Sequence, residues 1–236
     1  MMEMNKIMGW FKYLLLLGLT FFVYYILQSL LILPFMGIIN DIGNLLKSLI
    51  LLGSEVILLV VLFLIYHKLI IKDFIKNWKK YIPKGLLYWV IGFIGMGFMN
   101  ILITFTVGSD VATNEALNRE MITKLPLYAI PVIAFIGPIV EEIVFRFSFR
   151  KVIPNKFLYI VITSIIFAGV HMTASFDSFS AIWSDIPEFL HIFAYLSLAL
   201  SFSFAYRDTD NIFTTMCLHI LHNTYCLAII IMGLLV

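Results

Sequence analysis

Long apolar runs, separated by short polar segments, recur along the whole chain. Each run is close to the roughly 20 residues that a helix needs to cross a hydrocarbon core. The runs are continuous rather than alternating with a period of two, so they indicate transmembrane helices and not barrel strands. The pattern predicts an all-α fold, a polytopic transmembrane helix bundle of about seven spans, at residues 13–39, 49–66, 85–107, 127–153, 157–172, 189–206 and 212–236.

Composition supports a membrane protein. Of the 236 residues, 62% are hydrophobic and 13% are charged, whereas soluble domains are about half apolar and about a quarter charged. The first run exceeds a signal-peptide core and lacks a small-residue cleavage site, so we expect it to be retained as a span. No internal repeat or low-complexity linker divides the sequence, so the whole chain, residues 1–236, is expected to form a single membrane domain.

The positive charges are distributed asymmetrically. With the N-terminus in the cytoplasm, only Lys47, Arg119 and Lys124 of the 16 Lys and Arg residues lie outside, as the positive-inside rule requires. We therefore predict a multi-pass protein of the cell membrane with a cytoplasmic N-terminus. The formal net charge is only +2 and the basic residues lie at span ends, which indicates the lipid bilayer as a partner and no nucleic acid.

A few ionisable residues lie within the spans, where each costs about 2.5 to 3.5 kcal/mol on insertion scales. The fourth span carries Glu141, Glu142 and Arg146. Glu142 and Arg146 share a helix face, while Glu141 is turned by about 100° from Glu142. Arg146 can therefore neutralise Glu142 and leave Glu141 to act as a base. A structural ion pair that holds helices together is the alternative.

Two later spans carry further polar side chains at helical spacing. Phe167 and His171 lie one turn apart on the fifth span, and His219 and Asn223 share a face of the seventh. At 1.5 Å per residue, Glu141, His171 and Asn223 lie about 18 to 24 Å from the nearest cytoplasmic turns. We therefore expect three spans to present polar groups at one depth, and we expect the chemistry of these groups to take place on or near the cytoplasmic half of the membrane.

These three motifs, Glu-Glu-x-x-x-Arg, Phe-x-x-x-His and His-x-x-x-Asn in that order on successive late spans, resemble the CPBP family of intramembrane proteases. This family is also called the CAAX protease or Abi family. It includes type II CAAX prenyl proteases and bacteriocin-processing or self-immunity proteins. The likeness covers residues 125–236, which would form the catalytic core.

The resemblance implies a role for each motif residue. Glu141 and His171 would activate the attacking water, and His219 with Asn223 would stabilise the oxyanion. The Glu-Arg pair would orient the site. The implied catalytic residues are Glu141, Glu142, Arg146, His171, His219 and Asn223, with Phe167 as a candidate substrate-binding residue.

The sequence leaves the metal question open. His171, His219 and Glu141 could form a three-ligand zinc site with an open position for water. Asn223 suits an oxyanion donor better than a metal ligand, so metal-independent glutamate catalysis is slightly preferred. The chain has no His-Glu-x-x-His, Gly-x-Ser-x-Gly or Gly-x-Gly-Asp motif, which argues against zincins, serine esterases and presenilin-like proteases.

The predicted function is intramembrane hydrolysis of peptide bonds, with a metallo or glutamate-type mechanism. Expected substrates are membrane-associated or lipidated peptides, as in bacteriocin maturation, signal-peptide maturation or self-immunity, because the short, Lys- and Ile-rich chain is typical of bacteria. Two alternatives stay open. One is a catalytically silent scaffold or immunity protein, and the other is a proton-coupled transporter, since buried Glu, Arg and His also build proton relays.

Overall fold

A computed structural model describes residues 2–108, 111–176 and 179–235 of the chain, and all the regular structure in these ranges is helical. A short 3-10 helix, Phe179–Ser184, precedes the seventh of the longer helices. The longer helices are α1 (Met8–Phe35), α2 (Asn44–Ile75), α3 (Trp78–Val107), α4 (Thr113–Lys124), α5 (Pro126–Lys151), α6 (Lys156–His171), α7 (Ile186–Thr209) and α8 (Ile212–Leu235).

Six of these helices are long and apolar enough to cross a membrane, which confirms the predicted polytopic bundle. The remaining predicted span, residues 157–172, is α6, with only 16 residues. At about 24 Å it is shorter than a hydrocarbon core of about 30 Å. It ends at His171, after which the chain continues in turns. Val236, the predicted end of the last span, lies outside the described residues.

Ion pairs join several helices at one end of the bundle, called here the basic end. Asp208 lies 2.8 Å from Lys84 and 2.9 Å from Lys156, and Asp210 lies 2.7 Å from Arg150. These contacts bring together the start of α3, the end of α5, the start of α6 and the end of α7. The helices therefore run in the alternating directions that the charge pattern predicts.

The opposite end, called here the α4 end, is organised by the carboxylate of Glu188 at the start of α7. This carboxylate accepts hydrogen bonds from the backbone N–H of Thr113, at 3.0 Å, and from the hydroxyl of Ser175. The side chain of Ile122 is buried in one cluster with Leu227. The helix α4, which the apolar pattern did not predict, is thus fixed against α7 and α8.

The helices α3 and α7 pack closely at a glycine. A Cβ atom added at Gly92 would lie 2.6 Å from the Oγ atom and 2.7 Å from the Cβ atom of Ser201. No side chain fits at that separation without moving a helix. Small residues of this kind let transmembrane helices approach closely, and here they position α7 against the site.

We expect Gly92→Ala to lower the free energy of unfolding by about 1 to 3 kcal/mol, as overpacking does. A matched control is Gly53→Ala, because nothing lies within 4 Å of a Cβ at Gly53 and alanine favours a helix interior. Thermal unfolding in detergent measures both, and adding Ser201→Gly should restore the stability of Gly92→Ala. Equal stability of the two alanine variants would contradict this packing.

Candidate active site

The helix α5 carries two π-helical turns, Val132–Ile136 and Ile143–Phe147, on either side of Gly137–Glu142. Such turns are rare and often occur at functional sites. In the first turn the N–H of Gly137 donates to the carbonyl of Val132. The next residue, Pro138, has no N–H to continue this register, which leaves the carbonyl of Ile133 available to a side chain.

Asn223 on α8 forms a hydrogen bond with that carbonyl. Its Nδ2 atom donates to the oxygen of Ile133 at 3.0 Å. An amide nitrogen carries two hydrogens, so this bond fixes the orientation of the amide and leaves a second N–H for another acceptor. Asn223 also lines the cavity described below, so a donor of fixed direction stands at the cavity wall.

A buried charge pair lies beneath the cavity. The Nη1 atom of Arg146 is 2.8 Å from the Oε1 atom of Glu142, and neither side chain is exposed to any measurable extent. The same Oε1 atom lies 3.0 Å from the Nδ1 atom of His219 on α8. Because an isolated buried charge is strongly unfavourable, each member of this group needs the others.

Phe167 packs within this group. Its ring lies 4.0 Å from the guanidinium carbon of Arg146, and its centroid lies 4.5 Å from that of His171 and 5.7 Å from that of His219. The geometry is that of a cation–π contact. Phe167 touches the cavity, yet it is only 2% exposed, so most of its ring is in contact with the polar side chains of the site.

Glu141 is connected to the Glu142–Arg146 pair through His219. Its Oε2 atom lies 3.5 Å from the Nε2 atom of His219, and its side chain is 23% exposed. Among the described residues this oxygen has no hydrogen-bond partner. Adjacent carboxylates on α5 therefore have unequal surroundings. Glu142 is fully buried and its Oε1 atom contacts both Arg146 and His219, whereas the side chain of Glu141 is partly exposed and contacts only His219 among the described ion pairs. The Oε2 atom of each carboxylate has no hydrogen-bond partner among the described residues.

His171, the last residue of α6, has a fixed ring orientation. Its Nδ1 atom lies 2.9 Å from the carbonyl oxygen of Phe167. A carbonyl only accepts, so Nδ1 carries the hydrogen, and the neutral ring presents the lone pair of Nε2. The other face of the ring lies against Tyr195 of α7, with 4.7 Å between centroids.

A cavity of about 370 Å³ joins these side chains. Phe167, His171, His219 and Asn223 line its inner part, together with Tyr195. The structure thus brings the motif residues of α5, α6 and α8 into one continuous group, with Glu141, Glu142 and Arg146 attached through His219 and Phe167.

Some wall residues were missed by sequence reasoning. Tyr195, which the sequence analysis does not place in the site, lines the cavity and contacts His171. His222, also not placed there, lines the cavity and lies 3.6 Å from the Sγ atom of Cys226. In both cases the sequence feature that could have indicated a wall residue is a polar side chain on an apolar helix. Such side chains also form ordinary helix contacts, so the feature is not specific.

The zinc set considered from sequence does not assemble. Within residues 2–108, 111–176 and 179–235, no three His, Cys, Asp or Glu side chains stand close enough together to hold a metal ion. His171 keeps the lone pair of its Nε2 atom, but both ring nitrogens of His219 face carboxylates. The side chains as placed therefore do not fit a three-ligand zinc site.

Comparisons with known proteins match about half of the chain. Residues 123–225 match the model of the family "Type II CAAX prenyl endopeptidase Rce1-like". A Bacillus subtilis (strain 168) protein named "Putative membrane peptidase YdiL" is 28% identical over 124 residues, which cover 51% of this chain and 44% of the relative. "UPF0177 protein YbdI" of Lactococcus lactis subsp. lactis (strain IL1403) is 24% identical over 132 residues, 52% of this chain and 73% of the relative.

The chain thus spans less than half the length of the YdiL protein. No solved structure matches the chain. The matched range contains all three motifs, from Glu141 to Asn223, and the described part of the chain is a polytopic helical bundle. Through residues 123–225, this chain is therefore similar to the Rce1-like family of type II CAAX prenyl endopeptidases.

Proposed function

We propose that this protein is an intramembrane endopeptidase that hydrolyses peptide bonds in membrane-associated or lipidated peptides. The observation that carries the proposal is the continuous group formed by Glu141, His219, Glu142 and Arg146, at the inner end of a cavity that His171 and Asn223 also line. Peptide hydrolysis requires a base for water, donors for the oxyanion and a proton for the leaving amine. The group contains a candidate for each requirement.

Glu141 and His171 are the proposed activators of water. The free Oε2 atom of Glu141 accepts a proton from water as the oxygen attacks the scissile carbonyl carbon. The lone pair of His171 Nε2 accepts a hydrogen bond from the same water and orients it. Glu141 then returns the proton to the leaving amine, so that one carboxyl group serves first as base and then as acid.

Asn223 is the proposed donor to the oxyanion. Its second Nδ2 hydrogen is free after the bond to Ile133, and its position is set before the substrate binds. A donor that is already oriented stabilises developing charge without reorganisation. His219 stands one turn away on the same helix, where it holds Glu141 and Glu142 in a fixed relation. Glu142 and Arg146 act as positioning residues, because both are fully buried.

The proposed substrates are those of a bacterial membrane enzyme. Maturation of bacteriocins or signal peptides, or self-immunity against them, would supply peptides anchored at the bilayer. We propose the cell membrane as the location and a cytoplasmic N-terminus as the orientation, because the basic end unites Lys84, Arg150 and Lys156 as the positive-inside rule requires.

Cleavage by purified protein in liposomes tests the proposal. With a library of quenched lipidated peptides, the wild type should cut, and Asn223→Ala should lower kcat by about 10²-fold, as loss of one oxyanion donor does. Asn77→Ala, a change of an exposed residue at the basic end, is the matched control and should keep full activity. A zinc chelator should leave the rate unchanged, since the histidines do not assemble as ligands.

Two results would contradict the proposal. If folded wild type and Asn223→Ala are equally inert across the library, the protein is a scaffold or immunity protein without catalysis. Proton flux into the same liposomes, without cleavage, would identify a transporter instead.

A further inference from the structure

The cavity that His171, His219 and Asn223 line extends along α8. Its wall on α8 runs from His219 to Ile230, about 16 Å along the helix at 1.5 Å per residue, and this direction leads away from the basic end. The helix α4 supplies further wall residues, including Glu115 and Arg119, whose side chains are 42% and 45% exposed. Among the described residues, none of the ion-paired side chains of the basic end lines the cavity.

The mouth of the cavity has a distinct chemistry. Three asparagines line it: Asn100 on α3, and Asn114 and Asn118 on α4. The spacing of Asn114 and Asn118 places both on one face of α4. The charges beside them cancel, because Arg119 lies 2.6 Å from Glu115. The mouth is therefore polar but has no net charge.

Asparagine side chains suit the backbone of an extended peptide. Each amide offers both donors and an acceptor, as a peptide group does. In the described part of the chain, the structure shows no side-chain hydrogen bond for Asn100 or Asn118. The amide donors and acceptor of both side chains are therefore available to a ligand. Farther inside, the walls include Phe93, Met96 and Leu198, which would accept apolar side chains.

We propose that Asn100 and Asn118 form a binding site for the backbone of an extended, apolar peptide segment, which enters the catalytic cavity from the α4 end. Asn114 lines the same cavity, as does Tyr195, the side chain that packs on His171. With the N-terminus in the cytoplasm, the α4 end faces the outside. Substrates are then cut from the outer side, which is opposite to the cytoplasmic side that the depth count predicts.

The direction of entry can be tested without any catalytic activity, because Cys226 lines the cavity. The chain has two cysteines, and both are free. In a Cys217→Ser protein, a charged, membrane-impermeant methanethiosulfonate reagent can reach Cys226 only through water. Two reference proteins that lack both native cysteines mark the sides: Lys124→Cys at the α4 end and Lys79→Cys at the basic end.

In intact cells and in inverted vesicles, Cys226 should react from the same compartment as the Lys124→Cys reference. A tryptophan at the mouth, Asn118→Trp, should slow the labelling of Cys226 at least about tenfold, because burial of the thiol behind a large side chain limits access. The labelling rate of the Lys124→Cys reference should not change when Asn118→Trp is added. Labelling of Cys226 from the compartment of the Lys79→Cys reference, or from neither side, would overturn the proposal.

The second test rests on the proposed function and measures peptide binding. Asn118→Ala and Asn100→Ala should each raise KM at least about fivefold with kcat within about twofold, the pattern expected when binding common to the ground and transition states is lost. Asn77→Ala again serves as the control with unchanged KM. A fall of kcat at constant KM would overturn the assignment of these asparagines as a binding site. If the wild type cuts no peptide, the proposed function fails, whereas the labelling result still decides where the cavity opens.

Discussion

The Glu141→Gln protein is expected to fold like the wild type and to lose about 10³ to 10⁴-fold in kcat, the upper range for removal of a general base. Glutamine keeps the size of the side chain but cannot accept the proton of water. Glu141 is the more exposed of the two adjacent carboxylates, and its Oε2 atom lies 3.5 Å from the Nε2 atom of His219. Because its side chain is partly exposed, the change leaves no buried charge without a partner. Initial rates on a cleavable peptide measure the effect, with thermal unfolding to show that the fold is kept.

Glu120→Gln is the matched control for this change. Glu120 lies on the exposed face of α4, where it pairs with Lys124, and its neutralisation should not change kcat. Glu142→Gln separates the two adjacent carboxylates, because Glu142 is proposed to position the site and not to accept the proton. If Glu141→Gln kept more activity than Glu142→Gln, then Glu142 would be the base and Glu141 the positioning residue.

The Arg146→Met protein is expected to lose about 3 to 5 kcal/mol of stability, as removal of one partner from a buried ion pair does. Arg146 is fully buried and is the partner of Glu142 at 2.8 Å. Without it, the carboxylate of Glu142 keeps only His219 at the same oxygen. Unfolding of the purified protein in detergent measures the loss. Lys124→Met, which breaks an exposed pair, should leave the stability unchanged.

A double variant distinguishes the two interpretations that the sequence left open for this pair. Glu142→Gln with Arg146→Met removes both charges, and replacement of a whole buried pair is often neutral, so most of the stability should return. If the pair only holds helices together, activity returns with stability. If the pair also positions His219 and Glu141, the double variant stays impaired in kcat although it is as stable as the wild type.

The half of the chain outside the family match is joined to the site by polar contacts. Glu55 on α2 accepts a hydrogen bond from the hydroxyl of Tyr128 on α5 at 3.3 Å, and another from the side-chain amide of Gln28 on α1. An ionisable residue within a span, such as Glu55, needs either a partner on another helix or a function. The structure shows a helix contact, which holds α1 and α2 against the helix that carries Glu141.

The sequence alone determined the properties that depend on local spacing. Apolar run lengths are set by the thickness of a bilayer, so the spans and the all-α class could be predicted. The period of a helix placed Glu142 over Arg146 and His219 over Asn223. The shortness of α6 and the presence of α4 could not be predicted. The helix α4 is too polar to appear among the apolar runs, and it rests on contacts with α7 and α8.

Only the tertiary structure decided which atoms meet. His219 bridges Glu141 and Glu142, Asn223 is bound to the carbonyl of Ile133, and Tyr195 covers His171. The first two contacts depend on how α5 and α8 are rotated about their axes, and the third depends on how α7 lies against α6. The end at which the cavity opens depends on where α4 is docked. Relations of this kind arise between helices that are distant in sequence, and residue spacing within one helix carries no information about them.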